Sequence, residues 1–315
     1  MELLLFGALL LSQSGTAGKQ YAMKKCGELA PGPFNSICIN LVRSALCLVV
    51  SLFIWLIAEG TGTNALGVGI GIVAGVGTSI NLFTWILCSR YISLTLIEGV
   101  STIGTLIIPM FLAPYLFNGE TVSTLQWIGT VLVFISVFLF SNKTAKKEKT
   151  VADKKKVVAG TLLLILCASG AMLANISKKF YAFHVTAKGQ GGAQIYTLLN
   201  FCSVLGVFLL LFAVYYQLER RRLQKTVAEG EPVHVELPYR RVWLFILIAA
   251  VSLYTYELFA AYAAQLPAAV YYPISRAIAI LGSFLLDVIV FKDKVTPKKL
   301  VGLVLLIAAV IMINI

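Results

Sequence analysis

Eight ionisable side chains stand inside long apolar runs of this chain: Lys19, Arg43, Glu98, Lys178, Lys179, Glu257, Arg276 and Asp287, with Asn40, Asn81, Asn175 and Asn200 as uncharged polar companions. A charge near the centre of a hydrocarbon layer costs at least ~2.5–3.5 kcal/mol on insertion scales, so each needs a partner, a wet cavity or a route to an interface. Such a set can recognise and move a polar solute. A desolvated carboxylate among them can also exchange a proton near neutral pH.

Depth sorts these groups. Glu98, in EGVSTIGTLIIP, and Glu257, in LYTYELF, lie well inside their runs. Each is either a proton carrier or the fixed partner of an arginine, Arg43 or Arg276. Lys19 and Lys179 lie in the last two turns of their runs, so they either snorkel to an interface or face a central cavity from two sides. Tyr21 and Tyr181, two residues further on, point about 200° away from those lysines on an ideal helix. Asp287, close to Lys292, reads as a solvated interfacial group. Tyr254, Tyr256, Tyr271 and Trp85 fit an interfacial aromatic belt.

The elements that must position these residues follow from composition. Of 315 residues, 59% are hydrophobic and only 13% charged, against roughly a quarter charged in soluble domains. Apolar runs of about 20 residues, each long enough to span a bilayer, recur at roughly 2–24, 35–58, 66–89, 92–117, 124–142, 157–183, 193–217, 242–264, 267–291 and 296–314. The expected fold is an all-α integral membrane protein of ten transmembrane helices. Two connections are long and polar, 143–156 and 218–241, and read as mobile. The six cysteines, Cys26, Cys38, Cys47, Cys88, Cys167 and Cys202, lack CxxC or His-pair spacing and read as small buried hydrophobes. No metal or cofactor is expected.

The chain repeats itself. A shift of 160 places Lys19-Gln20-Tyr21-Ala22 on Lys179-Phe180-Tyr181-Ala182 and Asn40 on Asn200, while a shift of 174 places Ser101 on Ser275, Phe117 on Phe291 and Glu98 on Tyr272. The opening LLLFGALLL, which could pass for a secretory signal, therefore corresponds to a mid-chain span. The repeat predicts two five-helix halves, 1–142 and 157–315, around a basic linker at 143–156. Five spans per half require opposed insertion, the inverted arrangement of many secondary transporters. The fourth and ninth spans correspond in this repeat, and both carry prolines. Pro109 and Pro273 are the expected hinges, because proline frees a carbonyl one turn back. Gly67, Gly71 and Gly75, spaced by four, predict a smooth face for close helix approach.

The net charge of +12 lies between the spans, which argues against nucleic acid as the partner. Twenty of the 26 Lys and Arg fall in connections on one side: Lys24, Lys25, Arg90, seven lysines in 143–156, six basic residues in 218–241 and four in 292–299. Only Lys188 lies on the other. The basic side should face the cytoplasm, leaving both termini outside, with a bacterial plasma membrane as the expected location.

The ten spans, the repeat and the segment FNGETVSTLQWIG at 117–129 resemble the drug/metabolite transporter superfamily, and within it the EamA-type permeases. Arg43 resembles an arginine often found in the second span there. The second half departs from the pattern, with FKDKVTPKKLVG in place of a Gly-Glu. The resemblance implies transport by alternating access. It leaves open the solute, since the superfamily includes metabolite exporters, nucleotide-sugar and sugar-phosphate antiporters and lipid-linked sugar movers.

The expected function is secondary active transport of a small anionic or zwitterionic metabolite. The expected solute-binding residues are Lys19, Tyr21, Asn40, Arg43, Glu98, Lys179, Tyr181, Asn200, Glu257, Tyr272 and Arg276. The alternative is a proton-coupled exporter of lipophilic cations with Glu98 or Glu257 as the exchanging carboxylate. An intramembrane enzyme finds no His-Glu-x-x-His or Gly-x-Ser-x-Gly motif, and both histidines, His184 and His234, lie outside the apolar cores. A receptor or scaffold remains a further class. The expected partners are a small-molecule solute and the lipid bilayer, with the oligomeric state left open.

Overall fold

The computed structural model describes residues 2–58, 60, 62–89, 92–117, 122–140, 151–228 and 239–313. Its described secondary structure is entirely helical. In chain order the helices are α1 (Glu2–Leu29), α2 (Pro33–Ile57), α3 (Ala65–Ser89), α4 (Leu94–Thr102), α5 (Ile108–Leu116), α6 (Thr124–Phe140), α7 (Val151–His184), α8 (Ala193–Ala228), α9 (Tyr239–Ala263), α10 (Ala268–Leu285) and α11 (Pro297–Ile313).

Six stretches are long and apolar enough to cross a membrane: Pro33–Ile57, Ala65–Ser89, Gly160–Lys188, Ala193–Leu218, Val242–Ala263 and Ala268–Val290. The bent pair Leu94–Thr102 and Gly104–Leu116 makes a seventh when taken together. Helix α1 falls short because its middle carries Ser12, Gln13, Thr16, Lys19 and Gln20, all of which point inward and are buried. Several of its leucines face outward, Leu3 at 86% and Leu10 at 60% exposure, while Asn40 and Arg43 on α2 are 0% exposed. An inside-out distribution of this kind is costly in water and natural in lipid. The fold is that of a multi-pass α-helical membrane protein.

Packing is dominated by α1 along α9, α3 along α7, α6 along α11 and α2 and α3 against α8. Small residues permit the closest crossings. A Cβ on Gly77 would lie 2.9 Å from the Gly170 carbonyl oxygen, and one on Gly170 would lie 2.7 Å from that of Gly77. On the same helix, Gly71 and Gly75 abut Leu199 and Ser203 of α8, and Gly67 approaches the Tyr181 ring. The smooth glycine face thus serves two neighbours. Gly15 of α1 meets the Ser252 carbonyl of α9 in the same way.

Between α4 and α5 the backbone takes a π-helical turn, Ile103–Ile107, and the rod bends by 42° between Leu94–Thr102 and Gly104–Leu116. Pro109, two residues later, has no N–H for the Thr105 carbonyl and its ring would collide with it. Widening the preceding turn relieves both problems. Pro273, by contrast, sits inside an uninterrupted α10, and the second π-helical turn, Leu286–Val290, comes at the far end of that rod.

The two long connections are shorter than the polar sequence suggests. Val151–Lys156 already belongs to α7 and Leu218–Ala228 still belongs to α8, because the Ala, Lys, Leu, Arg, Glu and Gln of ADKKK and LERRRLQK are good helix formers. Residues 141–150 and 229–238 lie outside the described residues, as does the Gly-Glu at 119 and 120.

Candidate functional site

Helices α1, α3, α4, α7, α9 and α10 surround a small polar cavity with a volume of about 30 Å³, room for about two water molecules. Four of the expected site residues line it: Lys19 from α1, Glu98 from α4, Glu257 from α9 and Arg276 from α10. Around them stand the hydroxyls of Thr16, Thr78 and Ser101 and the amides of Asn81 and Asn175. Leu82, Ala171, Ala174 and Leu253 supply its apolar wall.

The charges are arranged as two pairs and a single cation. The Lys178 ammonium lies 2.8 Å from Glu257 Oε2. The Arg276 guanidinium lies 3.6 Å from Glu98 Oε2, and Glu98 Oε1 accepts a 2.8 Å hydrogen bond from Gln20, whose own carbonyl oxygen accepts one from Ser283. Lys19 has no carboxylate within ion-pair distance among the described residues. Its ammonium sits 4.5 Å from the centroid of the Tyr256 ring, and Lys178 sits at the same distance from that ring. A cation–π contact is worth ~0.5–2 kcal/mol. Desolvating an ion costs several kcal/mol, so one ring shared by two ammoniums leaves Lys19 undercompensated.

Lys19 therefore faces the cavity rather than snorkelling. Lys179 does neither of the things its position allowed: buried in α7, it donates a 2.5 Å hydrogen bond to the Leu266 carbonyl at the α9–α10 turn and lies over Phe117. The lysine of α7 that joins the central charges is Lys178. This is legible in retrospect, since Ala171, Ala174, Asn175 and Lys178 share one helical face.

The other expected residues lie outside the cavity lining. Tyr21 packs on Phe245 and Phe291. Tyr181 donates to Thr63 Oγ1 at 3.1 Å and meets the Tyr196 ring. Tyr272 is buried edge-on against Tyr271. Arg43 donates to Asn40 Oδ1 at 2.5 Å and to the Met23 sulfur, while Asn40 Nδ2 donates back along α2 to the Ser36 carbonyl. Asn200 stands one layer behind the cavity, accepting a 3.2 Å bond from Thr78.

Asp287 is not solvated. It is 1% exposed, and its oxygens accept hydrogen bonds from the backbone N–H of Leu94 and Thr95 and from the Thr95 hydroxyl, with Lys24 at 3.8 Å. A carboxylate from the end of one rod thus caps the start of another, where unpaired N–H groups and the helix dipole favour negative charge. It also ties α1, α4 and α10 together at one end of the cavity. At the other end, α7 reaches α5 and the α9–α10 turn through His184 to the Leu116 carbonyl, 3.1 Å, and through Lys179 to Leu266.

Tyr256 was the least foreseeable member of the site. It donates to Asn175 Oδ1 at 3.4 Å and holds two cations on its ring, roles that a belt assignment hides. The cysteines add nothing to the cavity lining: five are buried and Cys202 is exposed.

No protein-family model and no curated protein matches this chain. Twenty-eight chains of solved structures do match. One, a crystal structure described only as that of a protein, gives a TM-score of 0.65 at 11% identity, with 98% of each chain covered. At that identity the likeness is one of fold.

Proposed function

We propose that the chain is a secondary transporter, moving a small anionic or zwitterionic metabolite by alternating access between two inverted five-helix halves, residues 1–142 and 157–315. One observation carries this reading. A polar cavity, lined by Lys19 and Glu98 from the first half and by Glu257 and Arg276 from the second, sits among helices whose outward faces are apolar. Intramembrane charges that converge on a shared cavity mark solute paths.

The packing supports the halves. Taking α4 and α5 as one bent rod gives ten rods, and exchanging each rod with the one five places on converts α1-on-α9 into α7-on-α3 and α3-on-α8 into α9-on-α2. It also converts α1-on-α10 into α7-on-α4, and it leaves α2-on-α8 and α6-on-α11 unchanged. Close crossings fall in the first exchanged pair, Gly15 on Ser252 and Gly170 on Gly77. The two ends of the cavity obey the same exchange: α1, α4 and α10 meet at one, and α7, α10's start and α5 at the other. Opening one set while the other stays closed is alternating access.

The resemblance of 117–129 and Arg43 to EamA-type permeases supports the same reading from sequence. The excess of basic residues in one set of connections supports a cytoplasmic position for them and for the Asp287 end of the cavity; in this reading the membrane is a bacterial plasma membrane. The reading as a proton-coupled exporter of lipophilic cations draws less support, because Glu98 and Glu257 each face a cation. In proteoliposomes the purified protein should accumulate labelled small carboxylates or amino acids under a gradient or by exchange. Failure to move any member of a metabolite panel would sink the reading, provided that a cysteine at Ala145 resists an impermeant external reagent and so shows correct insertion.

A further inference from the structure

We propose that the cavity, once widened beyond the space for about two waters that it has in this structure, is a site for a small hydroxylated monoanion, with Lys19 as the charge that the solute neutralises. This rests on the transporter reading and adds to it the solute's charge and hydrogen-bonding class. The ionisable groups of the cavity and its immediate wall are Lys19, Lys178, Arg276, Glu98 and Glu257. In their ordinary ionised forms they comprise three cations and two carboxylates, of which Lys178 pairs with Glu257 and Arg276 with Glu98. One positive charge is left, and geometry assigns it to Lys19, whose ammonium lies over the face of Tyr256. A low-dielectric cavity is most favourably filled when its net charge is cancelled. A monoanion does this. A zwitterion leaves the total at plus one and brings an ammonium beside Lys19, and a dianion overshoots.

The neutral groups set the second requirement. Thr78 gives its proton to Asn200 Oδ1, Asn81 gives an amide proton to the Cys167 carbonyl, and Asn175 gives one to the Ala171 carbonyl. Asn81 also turns its amide toward the Cys167 sulfur, and Thr16 donates to the Ser12 carbonyl, so the hydroxyl oxygens of Thr16 and Thr78 offer lone pairs while Asn175 keeps one amide N–H. A solute hydroxyl, which both donates and accepts, meets both kinds of group. The two features together describe a hydroxy-acid carboxylate, its carboxylate on Lys19 and its hydroxyl toward α3 and α7.

The test uses five probes of matched size: lactate, pyruvate, lactamide, alanine and malonate, measured as competitors of labelled lactate uptake in proteoliposomes and as ligands of the detergent-purified full chain by thermal shift. Wild-type protein should take lactate ahead of the other four. Lys19→Gln should weaken lactate roughly thirtyfold or more, the scale for removing one partner of a buried charge pair, and should move lactamide to the front of the series. Lys19→Arg should keep lactate first. A folding defect lowers all probes together and cannot reverse their order, and the wild-type order stands as a test if a variant fails to fold. If malonate, alanine or lactamide matches lactate in the wild type, or if Lys19→Gln leaves the order unchanged, the monoanion assignment is wrong while the transporter reading survives. If pyruvate matches lactate, the hydroxyl assignment is wrong. If a wider metabolite panel also yields no uptake, the transporter reading fails and takes this assignment with it.

Discussion

Asp287, at the end of the α10 rod, accepts a 2.9 Å hydrogen bond from the backbone N–H of Thr95, in the first turn of α4, and a 2.6 Å bond from its hydroxyl. The two residues are far apart in sequence, yet this contact joins the two rods that carry Glu98 and Arg276. The cap and the ion pair therefore bind the same pair of rods, one at the end of the cavity and one beside it.

Removing that cap should loosen one end selectively. Asp287→Ala leaves the N–H groups of Leu94 and Thr95 without their acceptor in a buried place, a cost of ~1–3 kcal/mol, whereas Asp287→Asn keeps an acceptor oxygen and should cost less. Thermal unfolding in detergent should rank wild type above Asn above Ala. In a cysteine-free background, Ser101→Cys should label faster from the basic side in Asp287→Ala than with Asp287 intact. Equal labelling rates would show that the contact holds nothing shut.

The Lys178–Glu257 pair invites a double-mutant cycle. Either single change, Lys178→Met or Glu257→Leu, strands a buried charge and should destabilise by ~3–5 kcal/mol, while the double change removes both charges and should recover most of that loss. Additive losses in chemical denaturation would mean that the 2.8 Å approach carries no coupling.

Glycine substitutions should separate crossings from bystanders. A Cβ on Gly170 would stand 2.6 Å from the Asn81 backbone nitrogen, which cannot yield without parting α3 from α7, while Gly206 has nothing within 4 Å. Gly170→Ala should lower stability by ~1–3 kcal/mol, and because Asn81 lines the cavity it should also weaken solute uptake. Gly206→Ala should be neutral or slightly stabilising. Unfolding curves for the two variants decide this directly.

The contrast between what could and could not be read in the sequence follows the range of each interaction. The Gly67, Gly71 and Gly75 face needs only helical spacing, and it appears in the structure as a close-packing surface. For Lys19, in the last two turns of its run, the sequence left snorkelling and a cavity both open, and only the helices packed on α1 decide for the cavity. Choosing between Lys178 and Lys179 turned on one residue of register, about 100° on the helix, and the repeat alignment favoured Lys179 whereas Glu257 lies beside Lys178. Asp287 misled because its nearness to Lys292 is local, while the N–H groups it caps belong to a distant rod. Tyr256 misled for a similar reason: the cations on its ring come from α1 and α7, and no spacing within α9 announces them.

The ion pairs turn the charge count into a graded prediction. Glu98→Gln removes one carboxylate and keeps an acceptor for the Gln20 hydrogen bond, so the group facing the cavity rises from one net positive charge to two. The solute that best cancels it should then be a dianion, and malonate should overtake lactate in competition for uptake. Arg276→Gln works the other way, taking the count to zero and favouring lactamide. Combining Glu98→Gln with Arg276→Gln restores a single positive charge at Lys19 and should restore the preference for lactate, even if overall affinity has fallen. A variant that merely damages the fold lowers every solute together, and a carboxylate that served as the proton carrier would change the response to a pH gradient without reordering the solutes by charge. Measuring the order of lactate, malonate and lactamide in these three variants therefore separates charge selection from both, and an order that stays fixed across the series would refute it.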